Sequence, residues 1–190
     1  EITLSGDSLV SLQDIPNVRC QDTCRVVPAL KENVASMSSS YLVPNNLVLV
    51  VTDAHRSVAE QYAQLAAYGG DTSMACNPET STCPHTTGRA IDINLLYVGG
   101  ETPVNLNQPS TRGTDNSQHE LSRRMVRKAL CVHGFVNYWR EDWHYEFGTG
   151  QWEVTRKNNP NGCAYRENDN TNWETVPIWI EVNGELTSSQ

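Results

Sequence analysis

Two histidines and two carboxylates lie in short polar motifs whose residue types could form a catalytic metal centre. His85 and Asp92 belong to the segment PHTTGRAIDI, and Glu141 and His144 belong to REDWHYEF. Two imidazoles and a carboxylate, from His85, Asp92 and His144, leave the fourth position of a tetrahedral zinc ion for water, as in catalytic zinc sites. Zinc lowers the pKa of such a water to about 7. Glu141 would lie near the metal without binding it, as the base that takes the proton of that water.

The segment around Asp92 alternates in the way that a half-buried strand does. In RAIDINLL, the side chains of Ile91, Ile93 and Leu95 share one face, and those of Ala90 and Asp92 lie on the other. An aliphatic face that packs on the core leaves Asp92 on the opposite face beside a small residue. The pattern therefore predicts that Asp92 lies on the floor of a site.

The other elements alternate between amphipathic helices and short strands. Helices are predicted at residues 28–41, 57–70 and 117–135, the last of them capped by Ser117 with Glu120 and ended by Gly134. Strands are predicted at residues 46–53, 89–96, 135–139, 143–148 and 177–182. On the strand that carries His144, Glu146 shares its face and either orients the imidazole or forms a salt bridge. The order of elements predicts an α+β fold with helices flanking a small antiparallel sheet.

No linker divides the chain, so the 190 residues are predicted to form a single domain. Within it we expect an irregular N-terminal arm at about residues 1–27, a catalytic core at about 28–150 and a C-terminal extension at 151–190. The oligomeric state is left open by the sequence.

The composition excludes two classes of partner. The net charge of −8 argues against a nucleic-acid partner, which requires a basic face. The longest apolar run, LVLVV, is the length of a strand, so no membrane span is predicted. The chain begins at Glu1 instead of a methionine, as expected if an upstream segment such as a secretory signal has been removed or left out.

Six cysteines are many for a reducing compartment. They are Cys20, Cys24, Cys76, Cys83, Cys131 and Cys163. Their even number favours disulfides in an exported protein, and Cys76 with Cys83 is the first pairing expected, because it closes a short loop just before His85. Cys20 and Cys24 are a second possible pair. A zinc-thiolate site is the competing interpretation, which the lack of a C-x-x-C pair disfavours.

The two histidine motifs resemble the paired H-x-x-G-x-A-x-D and E-x-W-H motifs of the D-alanyl-D-alanine dipeptidase and carboxypeptidase family. These are zinc peptidases of the bacterial cell wall, and their core fold also occurs in lysostaphin-type enzymes and in hedgehog signalling domains. The resemblance implies that His85, Asp92 and His144 bind Zn²⁺. It implies that Glu141 is the general base.

A third segment, TDAHRSVAEQ, resembles the strand-to-helix segment of the same family that carries an arginine. The resemblance implies that Arg56 binds a substrate carboxylate or the developing oxyanion, for which a permanently charged guanidinium is suited. It also implies that Asp53 stands where the dipeptidases receive the free ammonium group of the substrate. Together the three matches cover about residues 46–148.

Three positions depart from the family pattern. Cys83 stands where a serine usually precedes the first zinc histidine, and His55 stands where a tyrosine is common. The polar loop at 98–116 lacks the glycine-threonine and phenylalanine-aspartate signature of a strict dipeptidase. These departures leave the zinc chemistry unchanged and leave the length of the substrate open.

The resemblance implies a secreted or periplasmic peptidase that acts on cell-wall stem peptides beside D-alanine. The product would be free D-alanine from a carboxypeptidase or from a dipeptidase, and a peptidoglycan endopeptidase is an alternative with the same chemistry. A catalytically silent binding module that keeps a structural zinc is a rival, although it would need neither Glu141 nor Arg56. A disulfide-stapled domain without metal is a second rival.

Overall fold

The computed structural model describes most of the chain up to residue 99 and shorter segments beyond it. The described residues are 8–99, 103–104, 127–138, 141–159, 163–165, 179–182 and 185–188. The predicted helix cap at Ser117 and Glu120 and most of the polar loop at 98–116 lie outside them.

Eleven strands and four α-helices are present in these residues. The strands are β1 Val10–Ser11, β2 Val18–Cys20, β3 Arg25–Val26, β4 Leu47–Asp53, β5 Ala90–Tyr97, β6 Pro103–Val104, β7 Val136–Tyr138, β8 His144–Glu146, β9 Ala164–Tyr165, β10 Trp179–Val182 and β11 Glu185–Ser188. The helices are α1 Pro28–Met37, α2 Val58–Ala67, α3 at 127–132 and α4 Gly150–Asn158. A π-helical turn, Ser38–Leu42, continues α1, and a 3-10 turn, His85–Thr87, precedes β5.

One sheet of seven strands forms the centre of the fold. Its order is β2-β4-β5-β8-β7-β9, and β6 also pairs with β5. The pairs of β5 with β4 and with β8 are antiparallel, as is the pair of β7 with β8. The α+β fold is confirmed, with one refinement to the sheet: the outer pairs β2–β4 and β7–β9 are parallel.

The N-terminal arm is more regular than the sequence indicated. In the described part of this arm, β1 pairs with β3, and β2 forms an edge of the main sheet. Leu12 and Val26 are fully buried in the main core. The prediction of an irregular arm at residues 1–27 was therefore wrong for residues 10–26, because strands of two or three residues give too short a pattern to recognise.

The predicted alternation of β5 is confirmed. Ile91, Ile93 and Leu95 are buried in the main hydrophobic core together with residues of α1 and β4. Asp92 is also buried, but it points to the opposite face, where it is 8% exposed. The sheet therefore has a hydrophobic face and, around Asp92, a polar one.

Helix ends follow the sequence signals where the structure describes them. Pro28 is at the first position of α1, and Ser57 caps α2 in a capping box with Glu60. Gly134, with φ of 93°, follows α3 and donates its backbone N–H to the carbonyl of Cys131.

All six cysteines form disulfides. The pairs are Cys20–Cys24, Cys76–Cys83 and Cys131–Cys163. The first two pairings agree with the sequence prediction, and the third joins α3 to the residue before β9. In the described part of the chain, no helix combines the length and apolar character needed to span a bilayer.

Candidate metal centre

The structure brings the three predicted ligands together. His85 Nε2 lies 3.1 Å from His144 Nδ1 and 3.3 Å from Asp92 Oδ1. His144 Nδ1 lies 3.0 Å from Asp92 Oδ1. All three side chains are buried, and their donor atoms form a group that could hold a metal ion.

Strand pairing places two of these side chains. Asp92 on β5 and His144 on β8 are directly opposite each other in an antiparallel pair, so their side chains project from the same face. His85 comes from the 3-10 turn before β5. Gly88 ends this turn with φ of 68°, a conformation that glycine adopts without strain. The backbone can therefore turn from His85 directly into the strand of Asp92.

Outer hydrogen bonds determine which nitrogen each imidazole offers. His85 Nδ1 is 2.6 Å from the backbone carbonyl of Ala54, and His144 Nε2 is 3.0 Å from Glu146 Oε1. A carbonyl or carboxylate oxygen only accepts, so both of these ring nitrogens donate. In its neutral form each ring would therefore direct the lone pair of its other nitrogen into the cluster, as a metal ligand must.

The cluster is electrostatically incomplete without a cation. Two imidazole nitrogens, His85 Nε2 and His144 Nδ1, lie 3.1 Å apart beside the carboxylate of Asp92. Burial opposes a charge on His144, but its hydrogen bonds to Asp92 and Glu146 outweigh this and raise its pKa to about 10. Burial also opposes the charge on Asp92, yet His85 and His144 hold the pKa of Asp92 well below its usual range. Both shifts reflect a site that attracts positive charge.

The spacing of the donor atoms fits zinc. Atoms bound at about 2.0–2.1 Å to one tetrahedral ion lie about 3.3 Å apart. The three observed separations, 3.0, 3.1 and 3.3 Å, are close to this value. Two nitrogens and one oxygen are also a ligand set typical of zinc.

Glu141 lies beside the cluster. Its Oε2 atom is 3.9 Å from His144 Nδ1, and its side chain is 28% exposed. Burial raises the pKa of Glu141. Asn137, which is fully buried, donates from Nδ2 to the carbonyls of both Glu141 and His144 at 2.9 Å. This amide therefore fixes the turn that carries the carboxylate and the imidazole.

Arg56 contacts the cluster from the end of β4. Its Nη2 atom is 3.5 Å from Asp92 Oδ2, and its Nε atom donates to Asp53 Oδ2 at 2.6 Å. Its Nη1 atom donates to Gln61 Oε1 at 3.1 Å, and Gln61 Nε2 donates to the carbonyl of Cys76 at 3.0 Å. The guanidinium is thus held in one orientation from three sides.

A cleft of about 250 Å³ opens over the cluster. Arg56, Glu141 and Glu146 line it together with the ligands. Much of the remaining wall is uncharged and includes Gln64, Tyr68, Met74, Tyr138 and Trp143. Residues that hold a charge are therefore grouped with the metal ligands.

Asp53 faces a different space from the one that the resemblance implied. It lines a neighbouring cleft of about 280 Å³ with Asp22 and His55, and it is not among the residues that line the cleft over the ligands, although Arg56 and Gln64 line both. Its carboxylate receives hydrogen bonds from Arg56 and from the backbone N–H of Ala54. This geometry gives Asp53 the position of a residue that orients Arg56.

Several contributors to the site were not identified in the sequence. They are the carbonyl of Ala54, Gln61, Asn137 and Thr149, whose hydroxyl donates to Glu146. Backbone carbonyls carry no sequence signal, and the other three side chains are neutral and lie outside the two histidine motifs.

Several solved structures are similar to this one, whereas no family model and no curated protein sequence matches the chain. The LD-carboxypeptidase LdcB, studied for its recognition of peptidoglycan, has a TM-score of 0.51 and 19% identity, over 82% of this chain and 75% of that one. VanYB in complex with D-alanine-D-alanine has a TM-score of 0.51 and 14% identity, over 85% and 88% of the two chains. A mutant of the vancomycin-resistance D,D-pentapeptidase VanY in complex with Zn(II) has a TM-score of 0.49 and 16% identity, over 80% and 85%. The chain has the fold of D-alanyl-D-alanine-peptidase-like proteins, as the resemblance in the motifs implied.

Proposed function

We propose that the protein is a zinc-dependent peptidase that cleaves cell-wall stem peptides beside D-alanine. The observation that carries this proposal is the pair of buried imidazole nitrogens that meet at the carboxylate of Asp92 beside the half-buried carboxylate of Glu141. The fold shared with LdcB and VanYB makes cell-wall peptides the first substrates to test. The disulfides support a location outside the cytoplasm.

His85, Asp92 and His144 would hold the zinc ion. When bound, zinc supplies a Lewis acid that polarises a carbonyl group and lowers the pKa of a water. The protein supplies the orientation of the ligands, because the carbonyl of Ala54 and the carboxylate of Glu146 fix the two rings. Ordered partners of this kind raise the basicity of an imidazole ligand.

Glu141 would move the proton in the reaction. It accepts a proton from the attacking water and passes it to the amine that leaves when the peptide bond breaks. Burial raises the pKa of this carboxylate, which brings the acid and the base form closer in energy at neutral pH. The turn held by Asn137 keeps the carboxylate next to the ligand His144.

Arg56 would bind the anionic part of the substrate or the oxyanion that develops. Its side chain is 17% exposed, and Asp53, Gln61 and Asp92 fix its orientation, so little ordering is needed when a ligand binds. Asp53, the acceptor that the resemblance implied for the free ammonium group of a dipeptide, is not among the described residues that line the cleft over the ligands. This favours a carboxypeptidase over a dipeptidase.

The proposal is tested by mass spectrometry of three substrates incubated with the zinc-loaded protein. These are D-alanyl-D-alanine, a stem pentapeptide that ends in D-alanyl-D-alanine, and a crosslinked stem. We expect release of the terminal D-alanine from the pentapeptide, loss of this activity with a chelator and recovery with added zinc. Cleavage of the dipeptide alone would indicate a dipeptidase, and cleavage within the crosslinked stem an endopeptidase.

Glu141→Ala distinguishes an enzyme from a binding module. We expect this variant to retain its zinc and to lose about 10²–10⁴-fold in kcat, because only proton transfer is removed. Glu153→Ala on the exposed surface of α4 is the matched control and should remain fully active. Zinc-loaded protein that binds these peptides but cleaves none of them, with or without Glu141, would establish the silent binding module instead.

A further inference from the structure

A second cleft, of about 520 Å³, adjoins the cleft over the metal ligands. Pro84 and Glu146 line both clefts, so the two spaces adjoin at these two residues, next to the cluster. Beyond them, the second cleft is bounded by Thr82, Thr87 and Arg89 on one side. Its other side is formed by residues 148–151 and Val154, at the start of α4. A peptide that lies across the metal centre can therefore extend into this space.

Arg89 supplies the positive charge of this second cleft. Its backbone carbonyl accepts a hydrogen bond from the N–H of Phe147, which brings its side chain next to Gly148. A Cβ atom at Gly148 would lie 2.6 Å from Arg89 Nη1, so the absence of a side chain there makes room for the guanidinium. The guanidinium therefore has a defined place in the wall of the cleft.

This guanidinium has no anionic partner in the part of the chain that the structure describes. Arg89 is partly buried, and its side chain makes no hydrogen bond or ion pair with the described residues. Glu146, the carboxylate that lines the same cleft, is already engaged by His144 and Thr149. A partly desolvated guanidinium without an acceptor is poised to bind an anion, since its paired donors match a carboxylate.

The walls of the cleft indicate which anion fits. Pro84 and Val154 are apolar, and the threonines at 82 and 87 are uncharged. One arginine between apolar walls suits a single carboxylate on an aliphatic chain better than a multiply charged phosphate, which usually needs several cations. Arg56 lines the cleft over the ligands and not this one, so the carboxylate bound here differs from the one assigned to Arg56.

We propose that Arg89 and the second cleft form a subsite of the same active site, which binds a substrate carboxylate on the acyl side of the scissile bond. The proposal rests on the peptidase function proposed above. In stem peptides, one group of this chemistry is the free α-carboxylate of a D-isoglutamyl residue, which amidation to D-isoglutamine removes. Arg89 is thus a specificity-determining residue that distinguishes free from amidated stems.

The subsite is tested by calorimetric binding, which does not depend on turnover. Zinc-loaded Glu141→Ala protein is titrated with two stem pentapeptides that differ only in D-isoglutamate or D-isoglutamine. We expect amidation to weaken binding about tenfold or more when Arg89 is present, as for the loss of a charged hydrogen bond. With Arg89→Gln added, the two peptides should bind about equally. Arg89→Lys should restore part of the preference.

Arg19→Gln, at an exposed position of β2, is the matched control and should keep the full preference. A preference that persists in Arg89→Gln protein, or no preference in the Arg89 protein, overturns the subsite. Failure of both peptides to bind also overturns it. The subsite and the proposed function can fail separately. If the peptides bind with the expected preference but protein with an intact Glu141 does not cleave them, only the function is contradicted. If both peptides are cleaved with equal KM, only the subsite is contradicted.

Discussion

Both ring nitrogens of His144 have partners: Nδ1 faces Asp92, and Nε2 donates to Glu146. Because Glu146 is the partner outside the cluster, we expect it to determine the orientation of the ring. Glu146 is 1% exposed, accepts from His144 Nε2 and receives a second hydrogen bond from the hydroxyl of Thr149. The carboxylate thus points Nδ1 of the imidazole at Asp92 before any ion binds.

Replacing Glu146 should weaken zinc binding without removing a ligand. We expect Glu146→Ala to lower the zinc affinity about 10–100-fold, as measured by competition with a chromophoric chelator. Glu146→Gln keeps an oxygen that can accept from Nε2 and should lose much less. Equal zinc affinities for the alanine variant and the parent protein would show that the ring is positioned by other contacts.

Asp53 offers a second test at a single residue. If it orients Arg56, then Asp53→Ala should reduce kcat/KM by a similar factor, about tenfold, for the dipeptide D-alanyl-D-alanine and for a stem pentapeptide, because both use the guanidinium. If Asp53 receives a free ammonium group, only the dipeptide should be affected. Steady-state kinetics with the two substrates therefore separate the role seen in the geometry from the role that the resemblance implied.

The cluster was predictable from the sequence because Asp92 and His144 are polar residues in an aliphatic and an aromatic context, and His85 lies in a motif with Asp92. Asp92 interrupts an aliphatic alternation, and His144 lies three residues after Glu141. The contacts that fix their geometry were not predictable, because Ala54 acts through its carbonyl and comes from a distant segment. The direction of the chain after β4 determines which cleft Asp53 faces, and no local sequence pattern predicts this direction.

At the level of elements, α1 and the turn after α3 meet through a histidine. His133 Nε2 lies 3.2 Å from the hydroxyl of Ser40, which belongs to the π-helical turn after α1. Burial lowers the pKa of His133 from its ordinary value of 6.5. The folded protein therefore resists protonation of a ring that the unfolded chain protonates freely.

This depressed pKa gives a signed dependence of stability on pH. Between the folded pKa and 6.5 the unfolded chain binds more protons, so the free energy of unfolding rises with pH through this range and falls on acidification. We expect His133→Gln to reduce the loss of stability between about pH 7.5 and pH 5.5 in urea titrations of metal-free protein. Metal-free samples are required so that zinc release does not contribute. If the variant loses as much stability as the parent protein on acidification, or more, His133 does not contribute to this pH dependence through a lowered pKa.

The central strands were predictable and the sheet edges were not. β4 and β5 carry long aliphatic patterns that predict strands, whereas their antiparallel pairing has no local signal, because a helix between two strands is more typical of a parallel pair. β2 and β9 have three and two residues, too few to show a period, and each joins the sheet in parallel through a long connection. Their pairing is determined by tertiary packing alone.

At the level of the whole molecule, a bound zinc ion would join three separate segments. His85, Asp92 and His144 come from the 3-10 turn, β5 and β8. A ligand that binds only the folded state stabilises it, by about 2.7 kcal/mol when its free concentration is 100 times its Kd.

Removing zinc should therefore lower the thermal midpoint of the intact protein. Calorimetry in zinc-containing buffer and after dialysis against a chelator should show a lower Tm without metal, and the Tm should rise with free zinc concentration. Asp92→Asn should largely abolish this rise, because the charged ligand is lost. A zinc-independent Tm in protein that retains Asp92 would favour a disulfide-stapled domain without metal.

The disulfide-closed loop from Cys76 to Cys83 is a segment that could be replaced without changing the sheet that carries the cluster. Met74 and both half-cystines line the cleft, and the disulfide closes the loop between them, with Gln61 bound to the carbonyl of Cys76 at its base, while Asp92 and His144 lie on paired strands. Replacing the segment between the same two cysteines with one of another length or composition should change which peptides can enter the cleft. The metal-binding cluster should remain unchanged. If the proposed peptidase function holds, this loop is the part to redesign for new peptide sequences.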